Sequence, residues 1–359
     1  RGITIKSHPI RMDFRRDDGV DYVLNLIDTP GHVDFHYEVS RSLAACEGAL
    51  LLVDAVQGVQ AQTINNLYLA LEHDLEIIPI INKIDLPSAD VDRVKKQIEE
   101  DLGLDPEAAL QISAKQGVGI EAVLESIVKI LPPPGGEADK PLQALIFDSH
   151  YDSYRGTIVH LRIFSGQIRP GDTIIFTSNQ AAYRVEEVGV FQLERIPIQT
   201  LSAGQLGYII AGIKTISDTR CGDTVTHQDQ PCEAALPGFK MTKPVVFSSI
   251  YPVASDGYEE LVTALEKLKL NDAALIYEKD TSVALGFGFR CGFLGLLHLE
   301  VVQERLEREY DLSLLLSAPS VRYRCHLTSG EVIEIANPSK MPDAGNLELV
   351  EEPYIHASI

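Results

Sequence analysis

No stretch of the 359 residues approaches the roughly 20 consecutive apolar positions that a membrane-spanning helix needs, and nothing near Arg1 resembles a secretion signal. Cysteine is sparse. Cys46, Cys221, Cys232, Cys291 and Cys325 are scattered and contain no C-x-x-C pair, so a disulfide scaffold or a cysteine zinc site fits poorly and a reducing compartment fits well. Positive charge is also short: 31 Lys and Arg face 52 Asp and Glu, a formal −21 spread along the chain rather than gathered in a tail. Non-specific nucleic-acid binding depends on Lys and Arg displacing counterions, which argues against a general DNA or RNA coat. Any polyanionic partner must then be met through local basic patches. Apolar residues at 45% and charged residues at 23% are ordinary globular usage, and the length suits two or three domains.

The first third alternates apolar runs with helical periods. Tyr22–Ile27, Ala49–Val53, Ile77–Ile81 and Leu110–Ile112 read as buried strands, separated by helices near 35–47, 60–73, 90–102 and 119–131. That order predicts a mostly parallel, doubly wound sheet whose ligands sit beyond the C-terminal strand ends. Pro132 to Gly136 stops the pattern and reads as a linker. Short β-rich runs follow (144–147, 156–164, 173–176, 183–190, 207–211), predicting a small barrel or sandwich. Near Met241 a β-α-β-β-α-β order begins: strands at 244–251, 274–277, 283–289 and 312–316, with a helix after Asp256 and another over Phe293–Glu309. Residues 318–359 read as a β-rich connector entering a further element.

Four short elements carry chemistry. The strand ending at Ile27 runs into Asp28-Thr29-Pro30-Gly31-His32. A carboxylate there can orient a Mg²⁺-bound water, Gly31 lets a backbone N–H approach a terminal phosphate, and His32 can orient an attacking water. By themselves these five residues are equally a Pro-Gly turn beside an incidental His. Asn82-Lys83-Ile84-Asp85 follows 54 residues after Asp28, one strand–helix–strand–helix passage later. Asp85 can accept both the N1–H and the exocyclic amine of guanine, a donor pair that adenine lacks. Asn82 can contact the base edge, and the Lys83 stem can lie along the ring. Ser113-Ala114-Lys115 offers backbone N–H groups to the guanine O6. Thr4, within Arg1–Ile5, can give its hydroxyl to Mg²⁺. Alone each is a loop or a strand start; in this order they form a GTP/GDP and Mg²⁺ site.

No G-x-x-x-x-G-K-[ST] loop occurs, although that loop cradles the phosphates. The expectation is that an N-terminal piece of the protein lies outside these residues, and that the fragment is inactive.

The four elements resemble the switch I, phosphate-sensing and guanine motifs of translational GTPases. Gly156–Phe164 and Ile168–Asp172 resemble the β-barrel that follows their GTPase domain. The run Gly286–Glu300, with Gln303–Tyr310, is similar to the LepA-type elongation factors, the ribosomal back-translocases. Only 31 positions separate Asn82 from Ser113, which leaves no room for the extra subdomain of elongation factor G, and Glu351–Tyr354 looks like the opening of a next domain. BipA/TypA GTPases are the runner-up, disfavoured by Phe289–Gly295.

The resemblance implies a multidomain α/β, β and α/β chain: a P-loop-type GTPase domain without its phosphate loop (1–135), a translation-factor β-barrel (140–235), a ferredoxin-like domain (242–317), and a connector starting another (318–359). It implies a ribosome-dependent GTPase of translation elongation, with ribosome and tRNA as partners, no DNA and no obligate oligomer. Ile3 would join an apolar wall that holds His32 away until the ribosome reorganises the site. Arg290, Arg322 and Arg324 are candidate contacts to ribosomal RNA, with a solvated surface reading equally good, and His298 reads as a structural helix residue. A cytoplasmic location follows, with peripheral membrane association and an organelle homologue left open. A second reading makes the 359 residues a ribosome-binding module without catalysis.

Overall fold

Ile10, Met12 and Phe14 alternate with Arg11, Asp13 and Arg15, and Asp18-Gly19 follows, the pattern of a hairpin. A computed structural model, describing residues 4–152, 154–213, 219–238, 243–254, 257–272, 274–282, 284–335, 337 and 340–354, pairs β1 (His8–Arg15) with β2 (Asp21–Asp28) antiparallel, His8 opposite Asp28. Gly19 at φ 82° makes the turn. β1 was not among the expected strands, and β2 joins this hairpin instead of the parallel sheet.

The chain forms two units, 1–239 and 240–359. In the first, α1 (His36–Leu43), β3 (Gly48–Asp54), α2 (Ala61–Glu72), β4 (Glu76–Asn82), α3 (Val91–Leu102), β5 (Leu110–Gln111) and α4 (Ile120–Ile130) follow the hairpin. Strands β3, β4 and β5 pair parallel in that order, with Asp54 beside Asn82 and Ile81 beside Gln111. Successive β4 residues feed opposite layers, as period-2 geometry requires. Ile81 packs with Val94 and Ile98 of α3 and Leu67 of α2, while Ile78 and Ile80 pack with Val123 of α4. Both faces of the sheet are therefore covered by helices. Asp90 caps α3 by accepting the Arg93 N–H.

Beyond the linker, β6 (Gln143–Asp152), β7 (Gly156–Ser165), β8 (Gln167–Ile168), β9 (Thr173–Phe176), β10 (Ala182–Arg184), β11 (Glu187–Phe191), β12 (Arg195–Ile198), β13 (Leu201–Ser202), β14 (Leu206–Ile210) and β15 (Thr224–His227) are all paired antiparallel. Eight of them form one sheet, ordered β10-β9-β15-β6-β7-β14-β11-β12. Residues from its two ends, Tyr183 and Ile198, pack on the same apolar core, so the sheet curls around it. The 183–190 run is two strands, and β12 and β15 were not expected. Alternate β7 residues point inward (Val159, Leu161, Ile163) or toward the first part of the unit, where Ile158 packs with Ala45. Buried Arg162 donates there to the Ala45 carbonyl and pairs with Glu47.

The second unit runs β16 (Val246–Pro252), α5 (Tyr258–Asn271), β17 (Ile276–Ser282), β18 (Gly286–Phe293), α6 (Leu296–Glu309), β19 (Leu314–Leu316), then β20 (Tyr323–Leu327), β21 (Val332–Ile335) and β22 (Leu347–Glu351). The first four strands pair antiparallel in the order β17-β18-β16-β19. Both helices pack on one face, through Leu261, Leu265 and Leu268 of α5 and Leu299, Val302 and Leu306 of α6, against Ile250, Phe289, Cys291 and Phe293. The run 286–293 is thus strand, and the second helix begins at Leu296 rather than Phe293. Strand pairing explains this: a Cβ on Gly288 would lie 2.4 Å from the Ile250 carbonyl oxygen of the adjacent strand. Asp256 lies outside the described residues, and the first described cap of α5 is Gly257.

His298 is buried, as a structural residue should be: its Nδ1 accepts the Leu294 N–H at 3.0 Å and its Nε2 meets Asp272 at 2.9 Å. Burial alone would raise the Asp272 carboxyl, yet the His298 bond and charge hold it below the usual range. Arg290 is buried as well, donating to Ser249 and Ser320, so it is no surface RNA contact. Arg322 pairs with Glu334, and Arg324 lies 3.7 Å from Glu351. All five cysteines are free thiols; burial pushes Cys46 and Cys291 up to about 12. Among the described residues no helix is long and apolar enough to cross a membrane.

Candidate functional site

Strands β2, β3 and β4 end in Asp28, Asp54 and Asn82, and the loops after β2 and β4 hold residues expected to bind nucleotide. The tightest cluster surrounds Asn82. Its Oδ1 accepts the Lys83 N–H at 2.7 Å and the Ala114 N–H at 3.1 Å. Two N–H donors fix which amide atom is oxygen, leaving the NH₂ group as a donor. The buried Ser113 hydroxyl donates to Asp85 Oδ1 at 2.7 Å, and the Ile84 N–H reaches the Ile112 carbonyl at 3.3 Å. The two loops are thereby locked together, with Ala114 and Lys115 exposed at the rim.

Lys83 adopts φ 66°, a left-handed conformation that costs a non-glycine residue about 1–2 kcal/mol. What holds it there is Asp54, a residue the sequence reading missed. Its Oδ2 lies 2.7 Å from Lys83 Nζ, and its Oδ1 accepts the Val56 and Gln57 N–H groups at 2.7 and 3.2 Å. Burial would raise the Asp54 carboxyl, but Lys83 and these backbone donors keep it below the usual range. The available signal was positional: Asp54 closes a strand, as Asp28 does.

A second group lies at the hairpin. Thr4 Oγ1 donates to Asp28 Oδ2 at 3.1 Å, which brings the two expected Mg²⁺-site residues together. A hydroxyl and a carboxylate supply hard oxygens, which Mg²⁺ takes in ones and twos alongside phosphate and water, so this donor set fits the ion. Among the described residues no atom lies within 4 Å of a Cβ placed on Gly31, so their packing does not demand glycine there. Pro30 is buried beneath it. His32 caps the short turn Val33–Phe35 by accepting the Asp34 N–H on Nδ1 at 3.1 Å, so Nε2 carries the proton of the neutral ring. Ile3 lies outside the described residues. Among the described residues no ladder pairs β2 with β3, so the hairpin group and the Asn82 group belong to separate sheets.

Two family models match: the elongation factor Tu GTP binding domain over residues 1–133, and elongation factor Tu domain 2 over 156–226. Among curated relatives, proteins called elongation factor 4 are 64% identical in Desulfosudis oleivorans, 65% in Syntrophus aciditrophicus and 57% in Thermotoga maritima. Each alignment covers all 359 residues and 60%, 60% and 58% of the relative, so the chain spans about three fifths of their length. A crystal structure from Thermus thermophilus superposes with a TM-score of 0.68 at 20% identity, over 91% of this chain and 61% of that one, a likeness of fold alone. Identity this high along the whole chain places it in the LepA-type translational GTPases, the elongation factor 4 family.

Proposed function

We propose that the protein is a Mg²⁺-dependent GTPase of translation elongation that acts on the ribosome as a back-translocase, converting GTP and water to GDP and phosphate. The observation that carries the reading is the locking of Asn82, Lys83 and Asp85 against Ser113, Ala114 and Asp54. Held this way, Asp85 accepts from the N1–H and amine of guanine, and the Asn82 NH₂ is left to donate to the base edge. Thr4 and Asp28 would hold Mg²⁺, directly and through water; when bound, the ion neutralises charge on the phosphates. The Gly31 N–H meets the γ-phosphate, and the His32 imidazole orients the attacking water.

The same proposal divides the chain into a GTPase domain (1–135), a β-barrel (140–235), a ferredoxin-like domain (242–317) and the start of another (318–359). Separate apolar cores and the β-α-β-β-α-β order support that division. Ribosomal RNA, ribosomal proteins and tRNA are the proposed partners, and the cytoplasm the proposed location.

A second reading concerns the 359 residues by themselves. They contain no G-x-x-x-x-G-K-[ST] loop, which favours a ribosome-binding module without catalysis. The test compares the 359-residue chain with the full-length protein, with and without ribosomes, and adds Asp85→Asn. Xanthine carries a carbonyl where guanine has its amine, so this substitution should exchange guanine for xanthine nucleotides. An unchanged base preference would remove the basis of the reading.

A further inference from the structure

The segment bearing Thr4 forms a small closed loop. Thr4 reaches the side chain of Asp28, and four residues later His8 pairs with Asp28 across the β1–β2 ladder. Both ends of the loop therefore meet at one residue. Its middle is fastened elsewhere. Lys6 Nζ lies 3.3 Å from Asp148 Oδ2 and donates to the Ser149 carbonyl at 3.3 Å, both on β6 of the curled sheet. Buried Ser7 accepts from the Ser42 hydroxyl at 2.7 Å and donates to the Glu38 carbonyl at 3.4 Å, both on α1. A loop this short with both ends fixed has little slack, so a shift of β6 against the hairpin must be taken up at Thr4 or Lys6.

The receiving site is built for charge. Asp148 is only 4% exposed, with His160 Nδ1 3.7 Å away and buried Arg41 of α1 close by. Burial alone would raise its carboxyl; Lys6 foremost, then His160 and Arg41, hold it below the usual range. Burial lowers His160 to about 3, and its Nε2 is shared with His150. Arg41 is itself engaged by Glu38 and Cys221. Lys6 is the cation that comes from the Thr4 loop.

We propose that Lys6 is a positioning residue that, by binding Asp148 and Ser149, sets the Thr4 hydroxyl against Asp28 and couples the nucleotide site to the curled sheet. This rests on the GTPase reading for its consequence, although the tether itself does not. In the nucleotide cycle, ordering of residues 4–8 would be felt at β6, and docking of the sheet on a partner would in turn settle Thr4.

Two readouts on the full-length protein separate these parts. The first is amide hydrogen exchange over residues 4–8 without nucleotide, in Lys6→Met, Asp148→Asn and Lys6→Arg. Met should speed exchange about tenfold, Arg should restore much of the protection, and α2 and α3 should be unaffected. Unchanged exchange in folded Lys6→Met overturns the tether, whether or not GTP binds. The second is single-turnover GTP hydrolysis in a cycle with Thr4→Ala. Lys6→Met should slow the wild type about tenfold and add less than twofold to Thr4→Ala. Additive losses overturn the positioning role while leaving the GTPase reading intact. A wild type that binds no guanine nucleotide overturns that reading and the coupling with it, with the tether still judged by exchange.

Discussion

Ser113→Ala isolates one hydrogen bond of the proposed guanine loops. Ser113 is 1% exposed, and its hydroxyl donates to Asp85 Oδ1 at 2.7 Å. The backbone there survives the change. Ser113 N–H still meets the Val118 carbonyl at 3.0 Å, and the Gln116 N–H keeps the Ser113 carbonyl at 3.2 Å when it loses the hydroxyl oxygen. The cost therefore falls on Asp85, which is half-buried and loses the donor that orients it. A hydrogen bond to a charged group contributes about 1.5–3 kcal/mol, and each 1.4 kcal/mol is tenfold in affinity. Guanine nucleotides should therefore bind roughly 10- to 100-fold more weakly, with the lower end reached if water replaces the hydroxyl. GDP and GTP should lose equally, since the defect is at the base. Titration of the full-length protein with both nucleotides decides it. Affinities within twofold of wild type, or a loss confined to GTP, would refute the reasoning.

Gly31→Ala should change unfolding free energy by less than about 0.5 kcal/mol, because no atom of the described residues opposes the new methyl, yet cut GTP hydrolysis at least about 100-fold; denaturant melts and turnover assays measure the two. His298→Leu should destabilise the second unit by about 2–4 kcal/mol in denaturant melts, since it strips the Asp272 carboxylate and the Leu294 N–H of one partner. Gly288→Ala should cost about 1–3 kcal/mol in the same melts, because its Cβ meets the Ile250 carbonyl. His160 gives a pH signature. Its folded value of about 3 lies below the unfolded 6.5, so unfolding releases a site that takes up a proton. That contribution is complete above pH 6.5 and is lost as pH falls toward 3, at no more than about 1.4 kcal/mol per pH unit. His160→Phe should flatten this part of the stability curve.

The strands and helices of the first third were legible because each is bounded by its own signal: Asp90 caps α3, and β4 is an unbroken apolar run between turns. The hairpin β1–β2 carried its signal too, in the alternation of Ile10, Met12 and Phe14, but it lies beyond the ligand motif expected at Arg1–Ile5. The 286–293 run was harder. Gly292 looked like a loop before a helix, beyond the strand expected at 283–289, whereas tertiary pairing sets it opposite Phe247 where neighbouring atoms leave no space for a side chain. Arg290 illustrates the same limit: its charge suggested surface, and only the fold buries it against Ser249 and Ser320. The residues proposed to bind guanine stood out by type and spacing, while Asp54 did not, because it pairs with Lys83 rather than matching a motif. Lys6 and Asp148 are 142 positions apart, and nothing local announces their pairing.

The central claim is that His32, beside Asp28 and Gly31, serves hydrolysis rather than binding. Single-turnover hydrolysis of GTP by the full-length protein on ribosomes, compared with His32→Ala, tests it most directly. Affinity for GTP should stay within about threefold while the rate falls at least about 100-fold. An unchanged rate would contradict the account.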